Sequence, residues 1–153
     1  MSPCRSLICL GLFGSLLMAA DADPVIGKWK LNWERSQSAQ PAPKSVIRRY
    51  RKSKFGVRVS EVWVEAAGGR ANLDYTASYD GKDYSVGSRK GGSVAFTRRE
   101  ANLAEGVSKL NGKVMYAFKR IVSNDGKTLT IEMAKSDSTG KPFTEVLVYD
   151  KIR

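Results

Sequence analysis

The sequence predicts an all-β fold, an antiparallel up-and-down meander closing into a barrel of about eight to ten strands. Three observations point there. Glycine turn signals recur along the chain, the segments between them alternate apolar and polar residues, and no segment sustains a helical period.

The chain opens on an uncharged apolar run from Leu7 to Ala20, preceded by Arg5 and followed by Ala20-Asp21-Ala22, the small-x-small pattern of a signal peptidase site. We read residues 1–22 as a signal peptide and 23–153 as a single domain, exported to the periplasm or secreted. The run is too short for a membrane anchor, and no later stretch approaches the roughly 20 apolar residues a spanning helix needs. Both cysteines, Cys4 and Cys9, fall in the leader, so the domain has neither a disulfide framework nor a thiolate, and its stability rests on its core. The leader removes one cation and one anion, which leaves the net charge at +11. Such a charge draws the protein toward anionic surfaces in a salt-dependent way but names no partner.

The first strand is expected over 26–32, where Gly27-Lys28-Trp29 lies. Residues 33–43 are polar and end in Gln40-Pro41-Ala42-Pro43, which suits a loop or short lid across one end of the barrel. Strands follow at 45–52 and 57–64. In the latter, Val57 and Val59 are out of phase with Val62 and Val64, and this change of face predicts a bulge near Ser60 and Glu61. Over 71–79, Ala71, Leu73, Tyr75, Ala77 and Tyr79 share one face against a polar one. Further strands are expected at 84–87, 93–99, 103–109, 113–123, 128–133 and 144–152. Asp80-Gly81, Asn111-Gly112 and Asp125-Gly126 are dipeptides suited to type I′ turns, which need positive φ at both central residues.

Several stretches together carry a resemblance: Gly27-Lys28-Trp29-Lys30-Leu31-Asn32, Pro41-Ala42-Pro43-Lys44-Ser45, Tyr79-Asp80-Gly81-Lys82-Asp83-Tyr84, Ser123 to Thr130, and Val146-Leu147-Val148-Tyr149-Asp150. In these the chain resembles small exported bacterial proteins with a lipocalin-like, calycin-type β-barrel. The resemblance implies a binding fold rather than an enzyme, and it implies barrel closure by Gly27 and Trp29. A basic residue of the last strand would cover the indole, with Lys151 and Arg153 as candidates.

The chemistry of the side chains narrows the function. Without histidine, and without cysteine in the domain, the usual nucleophile–base pairs and zinc sites cannot be assembled, so neither a metal nor a cofactor is expected. Glu61 and Glu65 on one strand would stand roughly 13 Å apart, beyond glycosidase spacing. The basic run Arg48 to Lys52 places Val46, Arg48, Tyr50 and Lys52 on one face. Either Arg48 and Tyr50 point into the barrel and hold a carboxylate or phosphate, or the strand is a solvated edge made basic to discourage pairing. The apolar candidates for a lining are Leu73, Tyr75, Tyr79, Phe96, Tyr116, Phe118, Leu129, Ile131 and Met133, which equally suit a filled core. The leading expectation is a small amphipathic, anionic molecule or lipid held inside. The alternative is a basic outer surface that binds anionic envelope polymers, or a structural envelope protein, with no internal ligand; specific nucleic-acid recognition is not expected.

Overall fold

The computed structural model describes residues 22–153, so the leader expected over 1–22 lies outside the described residues except for Ala22. Ten strands follow in chain order: β1 (Gly27–Leu31), β2 (Ser45–Ser53), β3 (Gly56–Val64), β4 (Arg70–Ala77), β5 (Tyr84–Ser85), β6 (Gly92–Glu100), β7 (Leu103–Leu110), β8 (Lys113–Val122), β9 (Thr128–Ser136) and β10 (Pro142–Ile152). They form one antiparallel sheet in the order β4-β3-β2-β1-β10-β9-β8-β7-β6-β5. Sequential neighbours pair throughout, and β1 meets β10 because the sheet has curled round on itself. The sheet ends β4 and β5 approach without forming a ladder. Gly87, just past β5, donates its N–H to the Asp74 carbonyl at 2.8 Å, and this bond helps bring the ring nearly to closure.

Turn chemistry sets the hairpins, with corrections. Asn111 (φ 49°) and Gly112 (φ 79°) both adopt the left-handed backbone that a type I′ turn requires. At Asp80-Gly81 and Asp125-Gly126 only the glycine does. The second of these is a longer loop in which Gly126 N–H bonds to the Ser123 carbonyl, and Asp80-Gly81 lies in the β4–β5 connection.

The register of β3 runs unbroken against both neighbours from Val57 to Val64. The expected bulge at Ser60 and Glu61 is absent, and the phase change has another cause. The inward row continues as Val57, Val59, Glu61 and Trp63, so a carboxylate occupies an interior position and Val62 faces outward, exposed. Register shifts fall instead between Arg98 and Glu100 in β6 and between Ser108 and Lys109 in β7. Residues 33–43 contain one turn of 3-10 helix, Trp33–Arg35, and Gln37 then bridges to Val146, carrying the chain along β10 to the opposite end.

That first end is closed by apolar packing. Trp29 is fully buried, its Nε1–H satisfied by the Val25 carbonyl at 2.8 Å, among Val25, Val57, Val122 and Leu129. Lys151 supplies the cover, its Nζ 5.0 Å from the indole centroid. Its stem lies where a Cβ on Gly27 would come, 2.7 Å from Cε, and Gly27 has φ 147°; both favour glycine there.

Candidate functional site

Between the closed end and the opposite mouth lies a cavity of about 400 Å³, within the range of small-molecule sites. Its walls are the inward rows of the strands. Leu73 and Tyr75 come from β4, Phe96 from β6, Tyr116 and Phe118 from β8, and Ile131 and Met133 from β9. Gly106 on β7 opens part of this wall, since a Cβ there would stand 2.4 Å from Phe96 Cβ and 2.9 Å from Phe118 Cζ. Its absence lets the two rings meet edge to face at 6.2 Å.

The strand β2 lies between β1 and β3, so the edge-strand reading of its basic run does not hold. Arg48 and Tyr50 point inward and line the cavity, while Arg49 and Arg51 face solvent. Arg48 is opposed across the register by Glu61, with Nη1 to Oε2 at 3.4 Å, and Tyr149 donates its hydroxyl to the same oxygen at 3.0 Å. Burial is the largest influence on Arg48 and works against its charge, but Glu61, with smaller contributions from Tyr50, Tyr149 and Tyr75, outweighs it in sum and holds the guanidinium well above its ordinary pKa. Burial, reinforced by Glu61, pushes the Tyr149 hydroxyl up.

Arg120 is the residue that the sequence reading passed over. It is 6% exposed, lines the cavity, and has no carboxylate partner among the described residues. Its Nη2 donates to the Tyr79 hydroxyl at 2.6 Å, and its guanidinium lies 5.2 Å from the Tyr50 and Tyr79 ring centroids and 5.8 Å from that of Phe96. Burial is the largest influence and opposes its charge, but Tyr50, Tyr79 and Tyr75 together outweigh it and hold the guanidinium above its ordinary pKa. The ring faces add a cation–π attraction but no neutralising charge. The signal lies in the two-residue row Tyr116, Phe118, Arg120, Val122, which puts Arg120 on the face of the aromatic residues.

Of the residues expected to bind ligand, Arg48, Tyr50, Leu73, Tyr75, Phe96, Tyr116, Phe118 and Ile131 all face this cavity. Tyr79 does not line it. The Tyr79 hydroxyl instead accepts from Arg120 and donates to the Asp23 carboxylate, which also pairs with Arg98, so a polar chain leads from the cavity into the N-terminal plug. Met133 lines the cavity as well, whereas Leu129 belongs to the packed floor. Arg89, Lys135, Glu145 and Trp63 also line the cavity. Lys135 pairs with Glu145, whose other oxygen takes the Ser38 hydroxyl. No cluster of metal-ligating side chains occurs among the described residues.

No family model matches the chain, and no curated protein does. A solved structure described as the siderocalin Ex-FABP, which "functions through dual ligand specificities", aligns with 84% of this chain and 71% of its own, at 13% identity and a TM-score of 0.37. A likeness of that size carries no weight beside the strand order, which gives the up-and-down barrel by itself.

Proposed function

We propose that this chain is a binding protein that holds a small amphipathic acid inside the barrel. The acidic group sits against Arg120 and Arg48, and the apolar body lies along Leu73, Phe96, Phe118 and Ile131. One observation carries the reading: Arg120 is a buried guanidinium in a cavity wall with no carboxylate among the described residues to neutralise it. Burying a charge without a partner is costly, and a bound anion would supply that partner. The volume suits a ligand on the order of a dozen non-hydrogen atoms, taking about 30 Å³ for each. As part of the same proposal the protein acts outside the cytoplasm, in the periplasm or the medium, and its mature form begins at Asp23.

Native mass spectrometry with medium-chain fatty acids and the corresponding alcohols tests the reading. Retention of the acids at one per chain, their loss in Arg120→Met, and no retention of the alcohols is the expected result. Equal uptake of acids and alcohols, or uptake of neither, would sink it. N-terminal sequencing of the protein from its own host checks the leader.

A second reading is supported by the outer face. Lys28 stands directly opposite Arg49, and Arg51 opposite Arg58, so like charges face one another across adjacent strands. Of these four, only Arg58 has an acidic partner among the described residues, Asp74 at 3.3 Å. An anionic envelope polymer laid across β1–β3 would relieve that repulsion. Binding to lipopolysaccharide that disappears in Lys28→Glu/Arg49→Glu, with acid uptake intact, is the expected outcome; binding unaffected by the double substitution or by salt removes this reading.

A further inference from the structure

Resting on the interior-ligand reading above, we propose that the ligand is two-headed, a linear α,ω-dicarboxylate with one acid on Arg120 and Arg48 and the other on Arg89 toward the mouth. Among the described residues, the buried side-chain polar atoms that lack a hydrogen-bond partner are the Nε atoms of Arg48, Arg89 and Arg120, and all three side chains line the same cavity. Unmet buried donors usually mark a missing partner. Here the unmet donors converge on one space.

Pairing off the interior charges shows where anions are wanted. Glu61 is taken by Arg48 and Tyr149, and Glu145 by Lys135 and Ser38. Glu65 sits at the rim, exposed. Arg120 and Arg89 remain without a carboxylate among the described residues. Arg89 is held in place, its Nη2 donating to the buried Ser108 hydroxyl at 2.8 Å. Gly92 makes room for it, since a Cβ there would come 2.6 Å from Arg89 Nε.

The spacing of the two posts follows from register. Ala104 pairs with Arg120 and Ser108 with Tyr116, so the level that holds Arg89 is four residues along β7 from the level of Arg120, about 13 Å. Phe96 and Phe118, both opposite Gly106, line the span between them, and Val94 lies at the Ser108 level. A cation, an apolar span and a second cation match an acid at each end of a hydrocarbon chain. A single-headed acid would leave Arg89 unmet.

Calorimetric titration with decanedioate and decanoate tests this. The expected result is at least tenfold tighter binding of the diacid, with Arg89→Gln bringing the diacid down to the level of the monoacid and leaving the monoacid unchanged. If both acids bind alike, or if Arg89→Gln weakens both equally, the two-headed assignment falls while the single-headed reading stands. If neither acid binds, both fall together. A chain-length series on the unaltered protein gives a reading that needs no variant. Diacid affinity should peak at one length and decline beyond it, and a steady rise with length, as for monoacids, would overturn the assignment.

Discussion

The closed end and the cavity half of the barrel are built from the same alternating strands but treat polar atoms in opposite ways. At the closed end the indole N–H has its carbonyl, the neighbours are valine and leucine, and the cation over the ring is Lys151, which reaches solvent. In the cavity half three arginines enter the interior, and each keeps an Nε without a partner. The first region is packed with its indole N–H satisfied, and the second carries unmet donors that packing alone does not require. Such a division is expected of a scaffold with a site set into it.

The comparison breaks most visibly at Trp29. Trp29→Ala removes the largest fully buried side chain and should cost about 3–5 kcal/mol, read from urea unfolding. A loss no greater than that of a surface substitution would show that the closed end does not carry the fold.

Within the cavity half, the two deep arginines sharpen the contrast. Glu61→Gln leaves Arg48 buried without its counter-charge and should cost about 3 kcal/mol, the low end for a broken buried pair because both side chains keep slight exposure. Arg120→Met removes a buried charge that has no carboxylate to lose, so stability should hold or rise by about 1 kcal/mol while acid uptake disappears. A large destabilisation in Arg120→Met, again by urea unfolding, would instead make Arg120 a keystone of the Tyr79–Asp23 chain.

The tyrosines around these arginines give a pH signature. Burial raises Tyr75, Tyr149 and Tyr79 above the ordinary 10.0, opposed at Tyr75 by Arg48 and Arg120, reinforced at Tyr149 by Glu61, and opposed at Tyr79 by Arg120. A raised folded pKa means the folded state holds its proton more tightly, so this contribution is complete below pH 10 and is lost as pH climbs beyond it. Unfolding free energy should therefore fall on the alkaline side, and Tyr75→Phe with Tyr149→Phe should flatten the fall. An unchanged slope in the double variant would remove these phenols as its source.

Much of the closed end was anticipated, because Gly27 and Trp29 are local signals and the resemblance implied a basic residue of the last strand over the indole, with Lys151 and Arg153 as candidates, of which Lys151 takes the place. The cavity half was legible only in its aromatic and aliphatic rows. Arg48 could be placed on a face, but whether that face was interior depended on β2 lying between two other strands, a long-range fact absent from local pattern. Glu61 was concealed by the assumption that interior rows are apolar, which turned an inward carboxylate into an expected bulge. Arg120 was hidden the same way, since a charge at the end of an aromatic row reads as the point where the row leaves the core. In physical terms, periodicity reports which residues share a face, and the fold decides which buried charges meet a partner.

The smallest effect lies at the mouth, in the turn that positions the loop bearing Arg89. Asn111 takes a left-handed backbone that costs a side chain with a Cβ about 1 kcal/mol unless it is asparagine or glycine. Its N–H also donates to the Gly91 carbonyl at 2.8 Å, two residues from Arg89. Asn111→Ala should therefore lose about 1 kcal/mol and Asn111→Gly much less, both read from urea midpoints. Because the backbone bond to Gly91 survives either change, the preference for decanedioate over decanoate should survive as well. If Asn111→Ala abolished that preference without unfolding the barrel, the asparagine side chain, rather than its backbone, would be what holds the Arg89 loop in register with the cavity.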